Sequence, residues 1–504
     1  MSIHRYRLKL LALTLIIYAY FCNGYVNNVS MNAIADATIA MVDNHTLQID
    51  PYASNSNDID ERAGHYYSGF APGLSFLLVP VYVVLKPALA LVPERVMARM
   101  DQKLSDSLYA RHGSLNSTNC RTRVMILVGV GTLLIGFSIG ILAAFEVLRV
   151  SRRLLPHLSE IDLSWLALLT SFGSIMMSFT IQLAHTSIAA WLVWIAVARA
   201  LCEPARRSAK SLLLCGALIA LAPTIDYPGA IYGGFAALFT LYLTAPKERL
   251  RVVGLMAAGG VAPIAASLSY HRAAFGSALT NSYRFRARAV DKSIFDVHHA
   301  ALSLPNAAKL YVGFLHPYSG LVLYHPLLLV STGLLGYFFV TERERVRKAF
   351  WALGSLTAIV NVFIYCSYPL EVGPASGPIF AVRYTAYSTP FALVAIAMLL
   401  SKLPVGHWGR KALAVLALAN AIPVWAFALY GSPVFPARNY GELFAQLGPA
   451  SYTLTKLHEA RLLMSPIWGW LGTALIATLL VSWWRAAARL LEARPKNLAS
   501  DRPA

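Results

Sequence analysis

The sequence predicts an all-α integral membrane protein with about twelve transmembrane helices and a large loop after the first of them. Of its 504 residues, 57% are hydrophobic and only 13% are charged, where a soluble domain carries about a quarter charged residues. Apolar runs long enough to cross about 30 Å of hydrocarbon recur along the whole chain. The runs are continuous and do not alternate, so helices are expected and a β-barrel is not.

The first span is expected at about residues 8 to 26. No small-x-small cleavage site follows it, so the segment is interpreted as a retained helix whose arginines stay in the cytoplasm. Further spans are expected near 124 to 148, 164 to 181, 186 to 200, 211 to 225, 229 to 244, 252 to 270, 319 to 340, 349 to 366, 385 to 401, 412 to 430 and 466 to 484. The run from 70 to 93 is also apolar, but it is interrupted by prolines and Lys86.

Basic residues cluster between the runs, and every cluster falls on one side of the membrane if the run 124 to 148 passes inward. The clusters are Arg149 with Arg152 and Arg153, Arg206 with Arg207 and Lys210, Lys247 with Arg249 and Arg251, Arg343 with Arg345, Arg347 and Lys348, Lys402 with Arg410 and Lys411, and Arg485 with Arg489, Arg494 and Lys496. This positive-inside pattern accounts for the net charge of +19 without nucleic acid as a partner. We expect a multi-pass protein of the inner (cytoplasmic) membrane, with both termini cytoplasmic.

The same orientation means that residues 70 to 93 are not a single crossing. They are expected to lie along the outer interface or to dip in and return. Residues 1 to 504 are then one polytopic domain, whose three outer segments are 27 to 123 with interfacial helices, 271 to 318, and 367 to 384. A shorter outer turn carries Asp226, Tyr227 and Pro228.

The first outer segment concentrates ionisable residues. Its start, Ser30 to Asp43, is expected to form an amphipathic helix on the membrane surface. The acids Asp50 and Asp60 follow, and then the candidate ligand-binding residues His65, Tyr66 and Tyr67. A lone loop carboxylate is usually only solvated, so the candidate site rests on the density of the cluster beside an apolar platform. Tyrosines suit sugar stacking and hydroxyl recognition.

Cationic candidates lie in the later outer segments. Arg284 and Arg286 alternate with aromatic residues, and their forked donors match phosphate oxygens. Anchoring to anionic lipid headgroups explains them nearly as well. Arg383 stands alone at the outer end of a span, against the positive-inside trend. Two acids, Glu371 and Asp226, lie beside the membrane on this side, and Asp226 is interpreted as a structural partner of an arginine.

Motifs of soluble enzymes are not recognisable in a suitable context: the sequence contains no HExxH or Walker A pattern, and its one GxSxG match, Gly136 to Gly140, lies inside an expected membrane span. The five cysteines are scattered and form no CxxC, so neither a disulfide framework nor a zinc site is predicted. No cofactor is predicted with certainty. A divalent metal held by the loop acids stays open, because their spacing is not diagnostic.

Three stretches resemble a known superfamily, the GT-C glycosyltransferases, which use polyprenyl-phosphate-linked sugars and include the aminoarabinose and protein mannosyl transferases. The stretches MNAIADATIAMVDNHTLQIDPY and GHYYSGFAPGLSFLLVPVY are similar to the loop that holds a surface helix and a proline-containing platform in that family. The segment GPIFAVRYTAYSTPF resembles a late outer motif of its bacterial members, with Arg383 at the position of its arginine. The general plan of spans and outer loops is similar over the whole chain.

One departure concerns the catalytic base. Family members commonly carry an acid directly after the first span, where this chain has Asn27 and Asn28. Either the base has moved to Asp36, Asp50 or Asp60, or the activity differs from that of the family. The base is expected at Asp60, with Asp50 second.

The resemblance implies transfer of a sugar, with inversion, from a polyprenyl-phosphate donor to a glycan, lipid or protein acceptor on the outer face. Arg383, with Arg284 or Arg286, would hold the phosphate. Alternatives are a transporter or flippase of a lipid-linked glycan, a polymerase or ligase of surface polysaccharide, and a non-catalytic assembly factor. A transporter predicts mid-membrane ionisable residues and an internal repeat, and the sequence displays neither.

Overall fold

The computed structural model describes residues 3–22, 29–56, 58–108, 121–203, 208–280, 282–285, 305–316, 320–367, 383, 385–404 and 406–430, together with 474 and 478. Within these residues the chain is almost entirely helical, and one short hairpin, Ile59–Arg62 (β1) with His65–Ser68 (β2), supplies the β-structure. The predicted segments 286–300 and 368–382 of the outer loops lie outside the described residues.

The helices follow one another in this order: α1 Ile3–Tyr20, α2 Val29–Asp43, α3 Gly73–Ala90, α4 Glu94–Leu108, α5 Arg121–Gly131, α6 Phe137–Leu154, α7 Glu160–Phe172, α8 Ile175–Thr180, α9 His185–Cys202, α10 Ala209–Ile225, α11 Gly229–Tyr242, α12 Arg249–Phe275, α13 Ala307–Phe314, α14 Leu321–Tyr324, α15 Pro326–Thr341, α16 Arg345–Ser367, α17 Thr389–Lys402 and α18 Trp408–Tyr430. A five-residue π-helix, Thr132–Gly136, joins α5 to α6 without a break. Short 3-10 helices cover Asp50–Asn55, Pro246–Glu248 and Ser282–Phe285.

Five helices of the described part are long and apolar enough to cross a membrane: Gly73–Ala90, Thr122–Leu154, His185–Cys202, Pro246–Phe275 and Arg345–Ser367. Five shorter apolar helices accompany them: Leu11–Tyr20, Ala209–Ile225, Gly229–Tyr242, Pro326–Thr341 and Thr389–Lys402. The structure thus agrees with the predicted class, a helical membrane protein, while the number of about twelve spans stays a prediction. The expected span 164 to 181 is divided, because α7 ends at Phe172 and Ser174 caps a new helix, α8.

The two ends of the bundle differ in character. At one end α1 finishes beside α5, where the Cys22 thiol lies 3.7 Å from the carbonyl oxygen of Gly129. We call this the loop end, because the segment between α1 and α5 lies there; the predicted topology makes it the outer side. At the opposite end Arg410 forms an ion pair with Asp162 of α7.

Helix α3 is long enough to cross a membrane, but its neighbours place it at the loop end. Its Leu78 lies against Gly131, and its Lys86 shares the carboxylate of Asp43 with Arg123. It therefore runs beside the first turns of the long helix 122–154, and its C-terminal half extends past the level of Gly129, where α1 ends. This position is compatible with the expectation that residues 70 to 93 are not a simple crossing.

Helix α2 differs from the expected surface helix. Residues 30 to 40 are all buried, because α3, α5, β2 and the 3-10 helix Asp50–Asn55 cover it on every side. Even its polar residues are enclosed: Asn55 donates to Asp36 Oδ1 at 3.0 Å, and Asn32 donates to the carbonyl of Asn55 at 2.7 Å. The prediction of an amphipathic surface helix is wrong for α2, because polar side chains such as Asp36 form their hydrogen bonds within the loop and not with water.

Helices α10 and α12 approach each other through glycines. A Cβ added at Gly216 would strike the backbone of Met256, and one at Gly259 would strike the backbone of Leu213. Small residues let two apolar helices pack backbone against backbone, which is how helices associate where the surrounding lipid is equally apolar. This contact fixes the two helices that lead to the site described below.

We therefore expect Gly216→Ala to destabilise the protein by about 1–3 kcal/mol, because the added methyl forces α10 and α12 apart. Gly254→Ala on α12 is the matched control: its Cβ would meet no atom within 4 Å, and helix propensity favours alanine by about 1 kcal/mol. Thermal unfolding in detergent compares the two variants. Equal midpoints would contradict a tight α10–α12 contact.

Candidate functional site

The hairpin β1–β2 determines which first-loop residues face inward. Its turn contains Ala63 and Gly64, both with positive φ (52° and 81°), as a tight two-residue hairpin requires. The register pairs Asp60 with Tyr67 and Glu61 with Tyr66. At the end of the hairpin away from its turn both faces are covered, so Asp60 and Tyr67 are buried together with Ile59 and Ser68, whereas Glu61 is exposed and Tyr66 is half-buried.

Asp50 ties the loop together. Its Oδ1 accepts a hydrogen bond from the backbone N–H of Tyr66 at 2.6 Å, and its Oδ2 lies 2.7 Å from Nδ1 of His65. The side chains of His65 and Asp50 are 47% and 38% exposed, so this pair sits at the surface of the loop. These two contacts hold the 3-10 helix Asp50–Asn55 against β2. Both carboxylate oxygens of Asp50 thus have a structural role.

Asp60 has a different setting. It is fully buried and lies within electrostatic range of Tyr270 on α12. Around it, Tyr67, Tyr270 and Phe275 belong to a separate aromatic core, in which the Tyr67 and Phe275 rings are 5.5 Å apart. Arg62 adds a hydrogen bond to the carbonyl of Ala274 at 2.9 Å. The first loop is thereby docked on the loop end of α12.

A hydrogen-bonded chain continues from the same end of α12. Nδ1 of His271 is 2.7 Å from the carbonyl of Ser267, an acceptor, so Nδ1 carries the proton and Nε2 of the neutral ring accepts. The Tyr227 hydroxyl lies 2.9 Å from this Nε2 and 3.1 Å from Oγ of Ser282. The chain fixes Tyr227, and it also positions the 3-10 helix Ser282–Phe285.

The surroundings of Asp60 and Tyr270 form one polar centre of the site. Asp226, the neighbour of Tyr227, forms a second. It is 7% exposed, and it interacts with the guanidinium of Arg383, the hydroxyl of Tyr387 (3.5 Å) and Thr186. Burial raises the pKa of Asp226 to about 6, while Arg383 and the two hydroxyl hydrogen bonds lower it by less. The carboxylate is therefore ionised at neutral pH but lies close to its point of protonation.

Tyr387 connects this centre to two further helices. Its ring stacks on Tyr232 of α11 at 3.8 Å, and the Tyr232 hydroxyl donates to Oδ1 of Asn361 on α16. Asn361 in turn donates to Oγ of Ser388 at 2.9 Å. Residues from three separate regions of the chain thus hold Tyr387, and through it one face of Asp226.

The two centres adjoin because Asp226 and Tyr227 are consecutive. Tyr227 lies within electrostatic range of Tyr270, which in turn neighbours Asp60, while Asp226 neighbours Arg383. An acid of the first loop and an arginine more than 300 positions later along the sequence therefore both lie within electrostatic range of groups at or next to this turn. Such a surface combines a buried carboxylate, several hydroxyls and a guanidinium, which together can accept a proton, bind a polyol and hold an anion.

Several candidate residues are not among those that the structure describes. Arg286 and Glu371 fall outside the described residues, and so does the side chain of Arg284, although its backbone belongs to Ser282–Phe285. Within the described residues, no group of three His, Cys, Asp or Glu side chains is arranged to hold a metal ion.

Sequence reasoning missed four residues of the site, namely Thr186, Tyr270, His271 and Tyr387. A weak signal existed for the middle pair, because SYH interrupts an apolar run at its outer end. Tyr387 follows Arg383 by four residues, which places both on the same turn before α17. Thr186 carries no signal in the sequence, since a threonine at the start of an apolar helix is ordinary.

The Asp226–Arg383 pair predicts a pH-dependent anion affinity. Below pH 6 the carboxyl is protonated and no longer neutralises Arg383, so sulfate, whose charge is constant over this range, is expected to bind several-fold more tightly at pH 5 than at pH 7.5. In Asp226→Asn the affinity should be high at both pH values. Equilibrium binding to the purified protein tests this, and an unchanged pH dependence in the variant would contradict it.

Comparison with known proteins finds similarity to solved structures only, at low sequence identity. No protein-family model matches the chain, and no curated protein does. One similar solved structure is the oligosaccharyltransferase AglB from Archaeoglobus fulgidus in complex with an inhibitory peptide and a dolichol-phosphate (TM-score 0.47, 12% identity, 84% of this chain and 55% of that chain). Another is the apo form of the oligosaccharyltransferase from the same organism (TM-score 0.44, 12% identity, 85% of this chain and 56% of that one). This chain spans little more than half the length of these structures.

Proposed function

We propose that this protein is a membrane glycosyltransferase that moves a sugar from a polyprenyl-phosphate donor to an acceptor at the loop end of the bundle. One observation supports the proposal: Arg383 lies within electrostatic range of Asp226, and both Tyr227, the next residue, and Asp60 of the first loop lie within electrostatic range of Tyr270. A base and an anion-binding group on one surface are what this reaction requires of a protein. The donor class comes from the GT-C resemblance of the sequence.

Asp60 is the proposed general base. The acceptor hydroxyl gives its proton to the carboxylate of Asp60 while its oxygen forms a bond to the anomeric carbon. The bond from that carbon to the phosphate oxygen breaks on the opposite face, so the configuration inverts. We place the base at Asp60 and not at Asp50, because Asp60 lies within electrostatic range of Tyr270 on α12, whereas Asp50 binds the backbone N–H of Tyr66 and His65 at the surface of the loop.

Arg383 is the proposed phosphate ligand. The leaving polyprenyl phosphate departs with the electron pair of the broken bond, and the guanidinium stabilises the negative charge that develops on it. Before the donor binds, Asp226 supplies the opposite charge that a half-buried arginine beside the membrane requires. The phosphate then replaces this carboxylate as the principal partner of Arg383. Arg284 and Arg286 stay proposed as additional phosphate ligands.

The tyrosines and His65 are proposed to contact the sugar or the acceptor. Tyr66 and His65 lie on the outward part of the hairpin, where an acceptor can reach them. Tyr67 faces inward with Asp60, and its ring packs on Phe275, so it supports the position of the base. Glu371 stays a proposed substrate-binding residue on the late outer segment.

We expect Asp60→Asn to lower transfer of radiolabelled sugar from a polyprenyl-phosphate donor by roughly 10²–10⁴-fold, the range for loss of a general base. Glu61→Gln is the matched control, since it removes the neighbouring, exposed carboxylate of the same strand. That variant should keep full activity. Single-turnover rates in detergent or nanodiscs separate the chemical step from donor binding.

If Asp60→Asn and Asp50→Asn each transfer sugar at the normal rate, the assignment of the base is wrong. If the wild-type protein moves a lipid-linked glycan across a vesicle membrane without transferring its sugar, the transporter alternative replaces the proposal.

A further inference from the structure

Tyr270 of α12 carries a hydroxyl that is buried and unpaired within the part of the chain that the structure describes. The residue is 4% exposed, and no described group forms a hydrogen bond with its hydroxyl oxygen. A buried hydroxyl without a hydrogen bond destabilises the folded protein, so such groups are uncommon and each needs an explanation. The mechanism proposed above gives this hydroxyl no role.

Two other tyrosines of the site use their hydroxyls within the protein. The hydroxyl of Tyr227 lies 2.9 Å from Nε2 of His271, and that of Tyr387 donates to Oδ2 of Asp226 at 3.5 Å. Tyr270 differs from both. Since a tyrosine hydroxyl can donate one hydrogen bond and also accept, Tyr270 keeps both capacities for a partner from outside the described residues.

Aromatic packing fixes the ring of Tyr270. Its centroid lies 5.7 Å from that of His271, 6.1 Å from that of Phe76 and 6.2 Å from that of Phe275, and all three contacts are edge-to-face. Tyr67 of the hairpin belongs to the same core. A ring enclosed in this way by α3, α12 and the first loop cannot turn its hydroxyl out to water, so the hydroxyl has a fixed position.

The surroundings of Tyr270 reach both sides of the candidate site. Tyr270 is within electrostatic range of Asp60 and of Tyr227, and the residue before Tyr227, Asp226, is within range of Arg383. In the proposed reaction the acceptor oxygen approaches Asp60 while Arg383 holds the phosphate. The group that joins the attacked carbon to that phosphate is the transferred sugar, so the sugar is the part of the substrate that Tyr270 can meet.

We propose that the hydroxyl of Tyr270 binds one hydroxyl group of the transferred sugar and that Tyr270 is a specificity-determining residue. The inference rests on the proposed function, which supplies the lipid-linked sugar. A sugar hydroxyl both donates and accepts, so it satisfies the group that burial leaves unpaired in the free protein. A sugar without that hydroxyl is rejected, because the buried tyrosine hydroxyl then stays unpaired in the complex.

Binding of unreactive donors tests the contact without an acceptor. Phosphonate analogues of polyprenyl-phosphate-linked glucose, galactose, mannose and arabinose, in which carbon replaces the anomeric oxygen, are titrated into the protein in nanodiscs beside plain polyprenyl phosphate. We expect the wild type to bind at least one of these sugars better than the plain lipid. Tyr270→Phe should bind that sugar lipid about fivefold more weakly, the effect of one hydrogen bond, and the plain lipid equally well.

Monodeoxy analogues of the best-bound sugar identify the group that Tyr270 contacts. At one ring position, loss of the sugar hydroxyl should weaken binding to the wild type about fivefold. Tyr270→Phe should bind the parent sugar and this analogue within about twofold of each other, because the two deleted hydroxyls are partners. If the losses are independent at every ring position, Tyr270 contacts no sugar hydroxyl and the inference is overturned.

Tyr82→Phe on α3 is the matched control. The Tyr82 hydroxyl is also buried, but it donates to Oδ2 of Asp43 at 2.8 Å. This variant should lower the midpoint of thermal unfolding and bind every lipid normally. Tyr270→Phe should behave in the opposite way, with a midpoint no lower than that of the wild type and weaker sugar binding. A lowered midpoint with normal sugar binding would show that the Tyr270 hydroxyl serves the fold.

These outcomes separate the inference from the proposed function. Sugar binding that depends on Tyr270, in a protein that transfers no sugar, would support the contact and refute the transferase. Sugar transfer with normal binding in Tyr270→Phe would refute the contact and leave the transferase intact. A wild-type protein that binds none of the sugar lipids better than polyprenyl phosphate would overturn the inference, whatever the transfer assay gives.

Discussion

The structure depends on how charge is compensated at the end of an apolar bundle. Asp226 is almost completely buried, and its carboxylate is held by Arg383, Tyr387 and Thr186. Removing either charge from water costs several kcal/mol, so neither group is placed there without the other. The pKa of about 6 for Asp226 shows that burial outweighs the compensation. An incoming anion can exchange with such a partner more readily than with a carboxylate in a fully stabilising pair.

The first loop is positioned against this centre by apolar packing, with few hydrogen bonds. Tyr67, Tyr270 and Phe275 form a core of their own at the loop end of α12, and Phe285 stacks on Phe275 at 5.1 Å. Arg62 adds a bond to a carbonyl of α12. Asp60 and Tyr67 are cross-strand partners at the buried end of the hairpin, so the packing that buries Tyr67 also buries Asp60. The packing that docks the first loop on α12 therefore also fixes the position of Asp60.

The sequence indicated three polar regions of interest but not how their residues are arranged. It indicated a polar cluster after the first span, a lone Arg383 and a turn at Asp226, and the described residues include all three. It ranked Asp60 before Asp50 by position in the chain alone, because both lie in polar, turn-rich sequence. Only the hairpin register makes one a surface tie and the other a buried acid. It also took α2 for a surface helix, because local periodicity says nothing of the elements that cover Asp36.

What the sequence determined by itself is the class of protein and the position of most helices, since hydropathy and charge act over twenty residues or fewer. What only the tertiary structure decided is which distant residues meet: Arg62 with Ala274, Tyr232 with Asn361, and Asp226 with Arg383. These contacts join segments more than 100 residues apart, and their energy comes from packing and from shared burial. No local pattern of residues encodes such a contact, because the contact forms only when the helices pack against one another.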